Sequence, residues 1–410
     1  MVGLFSLLPT GSVRGEVVSV DDCVRLALAR APAARAAGFE VDAAAARVRG
    51  ARAAYAPRLL AEGEYGRSEG FDTTVTNGGS TVAVLTVETT LLDGGLRDAQ
   101  LAAAQARLRS ATALAQQRRA DVALAVRTAY FAAVAARTEA DVQEDRLRTV
   151  RSYVGLLQRQ EQLGLVPHND TLRAQLEGNA AQTARRAALA ELATRQAELA
   201  ALTGAELASA ALGEPAATPL VEAAPEAIEL SPVIADARAA VDAARRDADA
   251  ARSAWRGQVT FSANGGALGV YPRQTFENDA GGQFLLGVRV PLYDGGAAAA
   301  QVAAAAAQAN SAEAGLAEAR QTIRIALARA QTEARRAQGD LADWQEALPR
   351  AAEHLALMRA RYLGGGNVRL LEVLDAMNQH VDARLNATHA LLAYRVAIAT
   401  AQQILGTVFS

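Results

Sequence analysis

Two patterns of apolar and polar positions alternate along the chain. The clearest has a period of two, in which Phe284, Leu286 and Val288 face one way and polar or small residues face the other. Such alternation with one apolar face is typical of half-buried β-strands. The pattern predicts two pairs of strands, each pair joined by a stretch rich in Gly, Thr and Asn. The predicted strands cover residues 58–68, the poorest match, and residues 81–91, 258–268 and 282–292.

The second pattern is helical and runs without a break through residues 95–163 and again through residues 296–363. A helix of about 70 residues extends ~100 Å at 1.5 Å per residue, whereas an ordinary globular helix has about twelve residues. Each long pattern stops at a glycine, Gly164 or Gly364, before a shorter helix. These returning helices are predicted at residues 169–203 and 367–405.

The elements occur twice because the chain is internally duplicated. Asp93-Gly94-Gly95 returns as Asp294-Gly295-Gly296, 201 residues on, and Pro32 returns as Pro232, 200 residues on. Nearly constant shifts over landmarks along the whole chain indicate one repeated unit. The predicted organisation is an N-terminal segment interpreted as a signal-peptide remnant, a first repeat, a linker and a second repeat, at residues 1–18, 19–204, 205–230 and 231–410.

Composition agrees with long, closely packed helices. Hydrophobic residues make up 51% of the chain, but nearly half of them are alanine, and aromatic residues make up only 4% of the chain. Alanine is the best helix former and buries little area. The net charge of −2 argues against a nucleic-acid partner. The single cysteine, Cys23, excludes an internal disulfide and is predicted to be a buried thiol, and no apolar run is long enough for a transmembrane helix.

Signatures of catalysis are absent from the sequence. The four histidines show no metal-ligand spacing, and His380 with its neighbours is interpreted as a helix surface. The triple glycine at residues 364–366 follows a helix rather than a strand, so helix termination explains it better than a nucleotide-binding loop. We therefore predict no enzyme, no catalytic residue, no cofactor and no metal site.

Four amphipathic strands of about ten residues suggest a membrane protein. Known membrane barrels begin at eight strands, so one chain cannot close a barrel alone. Ten tilted residues match the thickness of a bilayer, and open strand edges are not tolerated in hydrocarbon. The chain is therefore expected to assemble with copies of itself. The alternative is a water-soluble helical rod with two β-hairpins.

Four segments, in the correct repeat positions, resemble the TolC family of outer-membrane efflux and secretion channels over residues 19–406. The family's strand-to-helix joints are similar to LLDGG at residues 91–95 and PLYDGG at residues 291–296. Its two hairpin tips are similar to GLVPHNDTL at residues 164–172 and to RYLGGGN with LEVLDA between residues 361 and 376. The resemblance assigns the joints to Asp93, Gly94, Gly95, Asp294, Gly295 and Gly296.

The resemblance implies a fold and an assembly. The expected fold class is an α+β membrane protein, in which four strands per chain form one third of a twelve-strand trimeric barrel in the outer membrane. A long α-helical barrel would continue it through the periplasm. The implied partners are two further copies of the chain, outer-membrane lipid, a periplasmic adaptor of the membrane fusion type and an inner-membrane RND or ABC transporter. The implied function is a passive exit duct for an efflux pump or a type I secretion system.

The resemblance also implies roles for residues at the hairpin tips. Glu372 and Asp375 would form an acidic ring at the periplasmic entrance, and Asp170 with Tyr362 would hold it closed. The second tip is one residue longer than the family pattern and its triple glycine lacks the usual side chains, so Arg369 is only a stand-in for the basic closing partner. The expected adaptor contacts are Gly164, Leu165, Val166, Gly364, Gly365, Gly366 and Asn367.

Two alternatives stay open at this point. Glu372 and Asp375 are three residues apart, so a solvated helix face also accounts for them. A periplasmic coiled-coil adaptor or scaffold is the competing class of protein, although it would be expected to carry a compact β-rich segment between its helices, and none is found. The sequence does not separate drug efflux from protein secretion.

Overall fold

The computed structural model describes residues 18–66, 80–205, 212–215, 225–270, 280–364 and 368–407. Within these ranges the helices are α1 (Val20–Arg30), α2 (Pro32–Ala53), α3 (Leu96–Gln162), α4 (His168–Thr203), α5 (Pro232–Ser253), α6 (Ala297–Leu363) and α7 (Leu370–Leu405), with a 3-10 turn at Pro225–Leu230. The strands are β1 (Arg58–Gly66), β2 (Ser80–Leu92), β3 (Gln258–Val270) and β4 (Ala280–Arg289). None of the described helices combines the length and the apolar content needed to cross a membrane.

The chain divides into two compact units, which are described separately. The helical unit comprises Met1–Ala37, Ala115–Pro232 and Gln321–Ser410. The sheet unit comprises Gly38–Leu114 and Val233–Arg320. The order of helices and strands is the same in both repeats: two short helices or turns, two strands, a helix of 67 residues and a helix of 36 residues.

The four strands form one antiparallel sheet in the order β1-β2-β3-β4. The two hairpins have the same register, since Arg58 lies opposite Glu88 in the first and Gln258 lies opposite Arg289 in the second. Between the repeats β2 pairs with β3, and Val87 lies opposite Ala263. This sheet confirms the four predicted strands and their alternation.

One face of the sheet is apolar, and the charged and amide side chains of the strands lie on the other. The apolar face carries Leu59, Leu85, Val87, Val259, Phe261, Phe284, Leu286 and Val288, whereas the second, polar face carries Arg58, Glu62, Glu64, Glu88, Ser262, Asn264, Gln283 and Arg289 together with the apolar Leu60, Val82, Val84 and Leu285. Apolar side chains on the two edge strands are open to solvent, with Phe284 of β4 79% and Leu59 of β1 70% exposed. No described helix of the chain therefore shields these apolar side chains.

The fourth strand is shorter than predicted, because β4 ends at Arg289 rather than at residue 292. Arg289 lies opposite the first residue of β3, so no described strand lies opposite residues 290–292. In the first repeat β2 continues to Leu92, because β3 pairs with it beyond Glu88, where its pairing with β1 stops. The end of each strand thus depends on its neighbour as well as on its own residues.

The helical unit has a core around α1 and the middle of α3. Ser19 and Asp22 form a capping box at the start of α1, each accepting the backbone N–H of the other at 3.2 Å. Cys23 is fully buried, which confirms the predicted buried thiol. Burial, with the nearby charge of Asp22, raises the pKa of this thiol to about 11. The residues that pack around it include Val24, Ala27, Val126, Tyr130 and Leu199.

Tyr130 provides a test of this core. Its hydroxyl lies 2.8 Å from the carbonyl oxygens of Val18 and Gly213, and a hydroxyl donates to one acceptor at a time. Replacing Tyr130 by Phe removes that donor inside the core, so the free energy of unfolding should fall by about 1 kcal/mol. Denaturant titration measures this change. Tyr65→Phe, at an exposed ring on the apolar face of the sheet, is the matched control, and equal losses in both variants would contradict the assignment.

Candidate functional site

Each long helix begins at an Asp-Gly-Gly joint that follows a strand. The Asp93 carboxylate accepts the backbone N–H of Gly95 at 3.1 Å and that of Arg97 at 3.0 Å. Asp294 accepts the two equivalent N–H groups at 2.9 and 2.5 Å. These bonds satisfy N–H groups that have no partner within the helix. All four glycines have positive φ, which lets the strand turn into the helix: Gly94 65°, Gly95 89°, Gly295 71° and Gly296 93°.

The two joints differ in what surrounds them. In the first, Arg97 forms a 2.7 Å ion pair with Asp93, and its guanidinium lies 4.8 Å from the centre of the Tyr55 ring. A Cβ atom at Gly94 would lie 2.5 Å from the Cβ of Arg256, whereas a Cβ at Gly295 would meet nothing within 4 Å. The first joint is therefore enclosed by the second repeat of the same chain, and the second joint is open.

The first hairpin tip connects α3 to α4. Gly164, at φ 70°, donates its N–H to the Glu161 carbonyl at 2.8 Å, and Leu165 donates to the Gln160 carbonyl at 2.9 Å. This pair of bonds is a Schellman motif, which ends a helix at a left-handed glycine. Leu165 is exposed, and Val166 is half-buried against the core beneath the tip. An apolar side chain is thus presented to solvent at this tip.

The second hairpin tip connects α6 to α7. Gly364 donates its N–H to the carbonyl of Ala360 at 2.9 Å. Gly365, Gly366 and Asn367, which the family resemblance assigns to adaptor contact, lie outside the described residues. Helix α7 begins at Leu370, later than predicted, with Arg369 as an exposed N-cap that makes no side-chain cap bond. In the described part of the chain Arg369 forms no ion pair with Asp170 or Glu372.

One hydrophobic core lies beneath both tips and holds the two hairpins side by side. It is built from apolar residues at helical spacing on four helices. Its members are Leu147, Val150, Tyr153 and Leu157 of α3, Ala174 and Ala181 of α4, Leu355 of α6, and Leu370, Val373, Leu374, Ala376 and Met377 of α7. Val166, Val368 and Tyr362 pack against its edge. The tip residues therefore rest on a packed support.

The structure brings together Asp170 and Tyr362, one from each hairpin. Tyr362 is half-buried at the edge of the core, and its ring meets Tyr153 edge-to-face at 6.4 Å between centroids. Burial, followed by the negative charge of Asp170 and then by Tyr153, raises the pKa of the Tyr362 hydroxyl. Asp170 lies in the first turn of α4, where the helix dipole favours a negative charge. The charge of Asp170 on the first hairpin therefore acts on a hydroxyl of the second hairpin.

Tyr153 and Arg359 belong to the same arrangement and were not found by sequence reasoning. Arg359 donates through Nε to the Tyr153 hydroxyl at 2.9 Å, and its guanidinium lies 5.8 Å from the centre of the Tyr153 ring. The two residues are 206 positions apart in the chain. Only the three-residue spacing of Arg359 and Tyr362, which places both on one side of α6, signals the arrangement in the sequence.

Glu372 and Asp375 lie on the exposed side of α7, one turn apart. Glu372 is in the first turn of the helix, and Asp375 accepts a hydrogen bond from the Gln379 amide at 3.0 Å. Val373 and Leu374, between them, are buried in the core. Both carboxylates are therefore accessible to solvent.

His380 is half-buried, whereas its neighbours Gln379 and Asp382 are exposed, so the interpretation as a helix surface holds for those neighbours better than for the histidine. Burial, followed by the positive charges of Arg384 and Arg359, lowers the pKa of the imidazole. Arg384 is also within 3.1 Å of the Asp145 carboxylate on α3. The sequence pattern could not reveal this environment, because the charge of Arg359 acts on His380 from another helix, α6. Among the described residues no group of His, Cys, Asp and Glu is arranged to hold a metal ion.

Comparison with known proteins supports the same architecture. The sequence model of the outer membrane efflux protein family matches residues 23–205 and 223–407, one segment for each repeat. The chain is 30% identical to the protein CyaE of Bordetella pertussis over 358 residues, which cover 80% of this chain and 72% of CyaE.

Solved structures with the same fold include two proteins of low sequence identity. The outer membrane protein VceC of Vibrio cholerae superimposes with a TM-score of 0.80 at 19% identity, covering 94% of this chain and 96% of VceC. The CmeC outer membrane channel of Campylobacter jejuni superimposes with a TM-score of 0.82 at 14% identity, covering 95% of this chain and 86% of CmeC.

The duplicated helices, the four-stranded sheet and the paired tips are thus the fold of an outer-membrane channel protein. The chain belongs to the outer membrane efflux protein family, the TolC family that its joints and tips resemble.

The pKa of His380 predicts a pH dependence. Because the folded pKa is lower than the ordinary 6.5, the unfolded chain binds the proton first as the pH falls through about 6.5. The free energy of unfolding should therefore decrease between pH 7.5 and pH 5.5, and His380→Gln should remove that part of the decrease. Denaturant titration in detergent at both pH values measures it. His354→Gln, at an exposed histidine of α6, is the control and should keep the wild-type difference.

Proposed function

We propose that three copies of this chain form a channel in the outer membrane that acts as a passive exit duct across the periplasm. The duct would serve a tripartite efflux pump or a type I secretion system. The chain itself carries no catalytic arrangement in the proposal, so the energy comes from an inner-membrane transporter of the RND or ABC class. Membership of the outer membrane efflux protein family supports this function at the level of the family.

The observation that carries the proposal is the two-faced sheet with two open edges. Its apolar face is exposed, and the outer edges of β1 and β4 have no partner strand within the described chain. Lipid accounts for the apolar face, and further strands account for the edges, because hydrocarbon does not tolerate unpaired backbone groups. Three copies supply twelve strands, an even number within the range of known membrane barrels.

The hairpin tips are proposed as the periplasmic entrance and as the contact for a periplasmic adaptor of the membrane fusion type. The exposed Leu163 and Leu165 at the first tip offer apolar side chains to such a partner. The charge of Asp170 acts on Tyr362 of the other hairpin, and these two residues are proposed to favour a closed entrance. Glu372 and Asp375, exposed at the start of α7, are proposed to form a ring of six carboxylates around the threefold axis.

Extraction from outer membranes with detergent tests the assembly. We expect a particle with three times the 42.7 kDa mass of one chain, measured by light scattering with the detergent contribution subtracted. Recovery of only a monomer would contradict the duct. A particle that is soluble without detergent would instead support the adaptor or scaffold alternative.

Single-channel recording tests the acidic ring. Carboxylate rings attract cations in cation-selective pores, so the double variant Glu372→Ala with Asp375→Ala should weaken block by a divalent or polycationic blocker. We expect a blocking constant about tenfold higher, equivalent to ~1.4 kcal/mol. Glu40→Ala, at an exposed carboxylate of α2, is the control and should leave block unchanged. Equal block in the double variant and the wild type would remove both residues from the entrance.

A further inference from the structure

The strand pairing within one chain provides a pattern for strand pairing between neighbouring chains. Strand β1 matches β3 with a shift of 200 residues, and β2 matches β4 with a shift of 201 residues. With these shifts the two hairpins have the same register, because Arg58 opposite Glu88 corresponds to Gln258 opposite Arg289. The chain also shows how the end of one repeat pairs with the start of the following repeat, because β2 pairs with β3.

We propose that β4 of one chain pairs with β1 of the next chain in the register that β2 and β3 adopt within one chain. This inference rests on the proposed trimer, and it adds the register and the contacts of the seam between subunits. Glu88 lies opposite Ser262. Shifting both positions by one repeat places Arg289 opposite Glu62 of the partner subunit.

Charge complementarity supports this register. Arg289 and Glu62 both lie on the polar face of the sheet and both are exposed in the single chain. Glu64, two residues from Glu62 on the same face, becomes a diagonal neighbour of the arginine. Opposite charges on directly opposed cross-strand positions stabilise a sheet. A slip of one residue would bring the apolar face of one strand beside the polar face of the other, which the membrane does not tolerate.

The seam also explains why β4 is short. Thr89 to Leu92 are part of β2 only because β3 pairs with them, and the equivalent residues 290–293 lack such a neighbour in one chain. Leu292 and Tyr293 are left 90% and 88% exposed. Pro291 corresponds to Thr90, which borders the irregularity in the β2–β3 register. Proline is accepted at such a bulge, so β4 can extend past it once β1 of the partner subunit is present.

The pairing with the next subunit also accounts for the open space at the second joint. Gly94 is enclosed by Arg256 of the following repeat. The equivalent of Arg256 one repeat earlier is Ala56, so the seam places Ala56 of the partner subunit against Gly295. The empty space at Gly295 in the single chain is then the space that the next subunit fills.

The helices beside the sheet do not supply a comparable ionic contact. Within one chain α3 and α5 are joined by ion pairs of Arg107 with Asp247 and of Arg109 with Asp242. The equivalents at the seam are Gln308 opposite Arg47 of the partner subunit and Asn310 opposite Asp42 of the partner subunit, neither of which is an ion pair. Among these equivalents the charge pair that defines the seam is therefore Arg289 with Glu62 of the partner subunit.

Disulfide cross-linking tests the register. In a Cys23→Ala background, Val288→Cys and Gly63→Cys occupy opposed positions, equivalent to Val87 and Ala263 within one chain. Opposed residues in an antiparallel pair have Cα atoms about 4.5–5.5 Å apart, within the range for a disulfide, whereas residues displaced by two positions are about 7–8 Å apart. A Cβ at Gly63 meets nothing in the single chain. Oxidation should give covalent trimers that dissociate only on reduction.

The slipped pairs Val288→Cys with Ala61→Cys and Val288→Cys with Tyr65→Cys are the controls and should remain uncross-linked. Efficient linking of a slipped pair, or of no pair in a particle that is still trimeric, would overturn the register and leave the trimeric duct intact. Absence of a trimer before oxidation, for the wild type as well, would instead contradict the proposed function.

A charge exchange gives a second measurement that does not depend on cysteine chemistry. Arg289→Glu should speed the dissociation of detergent-solubilised trimers several-fold, because it faces Glu62 and Glu64 of the partner subunit with a like charge. The double variant Arg289→Glu with Glu62→Arg should restore the wild-type rate. Failure of the exchange to restore the rate, in a variant that still forms trimers, would overturn the pairing.

Discussion

Backbone hydrogen bonding at the two edges of the sheet is the constraint on which the rest of this structure depends. A four-stranded sheet leaves one row of N–H and C=O groups unpaired on β1 and another on β4. In water these groups bond to solvent, but in hydrocarbon each unpaired group costs several kcal/mol. The exposed apolar face of the sheet suits lipid, whereas the unpaired edges of the same sheet are unfavourable in hydrocarbon. Only further strands resolve that conflict.

Internal duplication supplies one strand pairing of this kind within the chain. The last strand of the first repeat, β2, pairs there with the first strand of the second repeat, β3. The same chemistry connects the sheet to the helices in both repeats, because an aspartate caps the helix and two glycines allow the turn. Differences between the repeats are therefore informative: the first joint is enclosed by Arg256, while the second joint and the end of β4 are open.

At the hairpin tips, charged side chains lie beside a packed apolar core. A packed core holds four helices in place and leaves Glu372 and Asp375 on the exposed side of α7. Tyr153 of the first hairpin contacts Tyr362 and Arg359 of the second, and the charge of Asp170 acts on the Tyr362 hydroxyl. Such contacts hold two packed elements together without the cost of a fully buried charge, which suits the entrance proposed above.

The sequence by itself determined the local features of this protein. Period-two alternation located the four strands, Asp-Gly-Gly located the joints, and the apolar spacing around Cys23 predicted its burial, because each depends on residues close together in the chain. Tertiary structure alone decided the features that join distant segments. β4 ends at Arg289, opposite the first residue of β3, Arg359 meets Tyr153 from 206 positions away, and the charge of Arg359 acts on His380 from another helix. A periodic pattern shows which side of an element is buried, but the residues that cover that side are set by how the helices and strands pack.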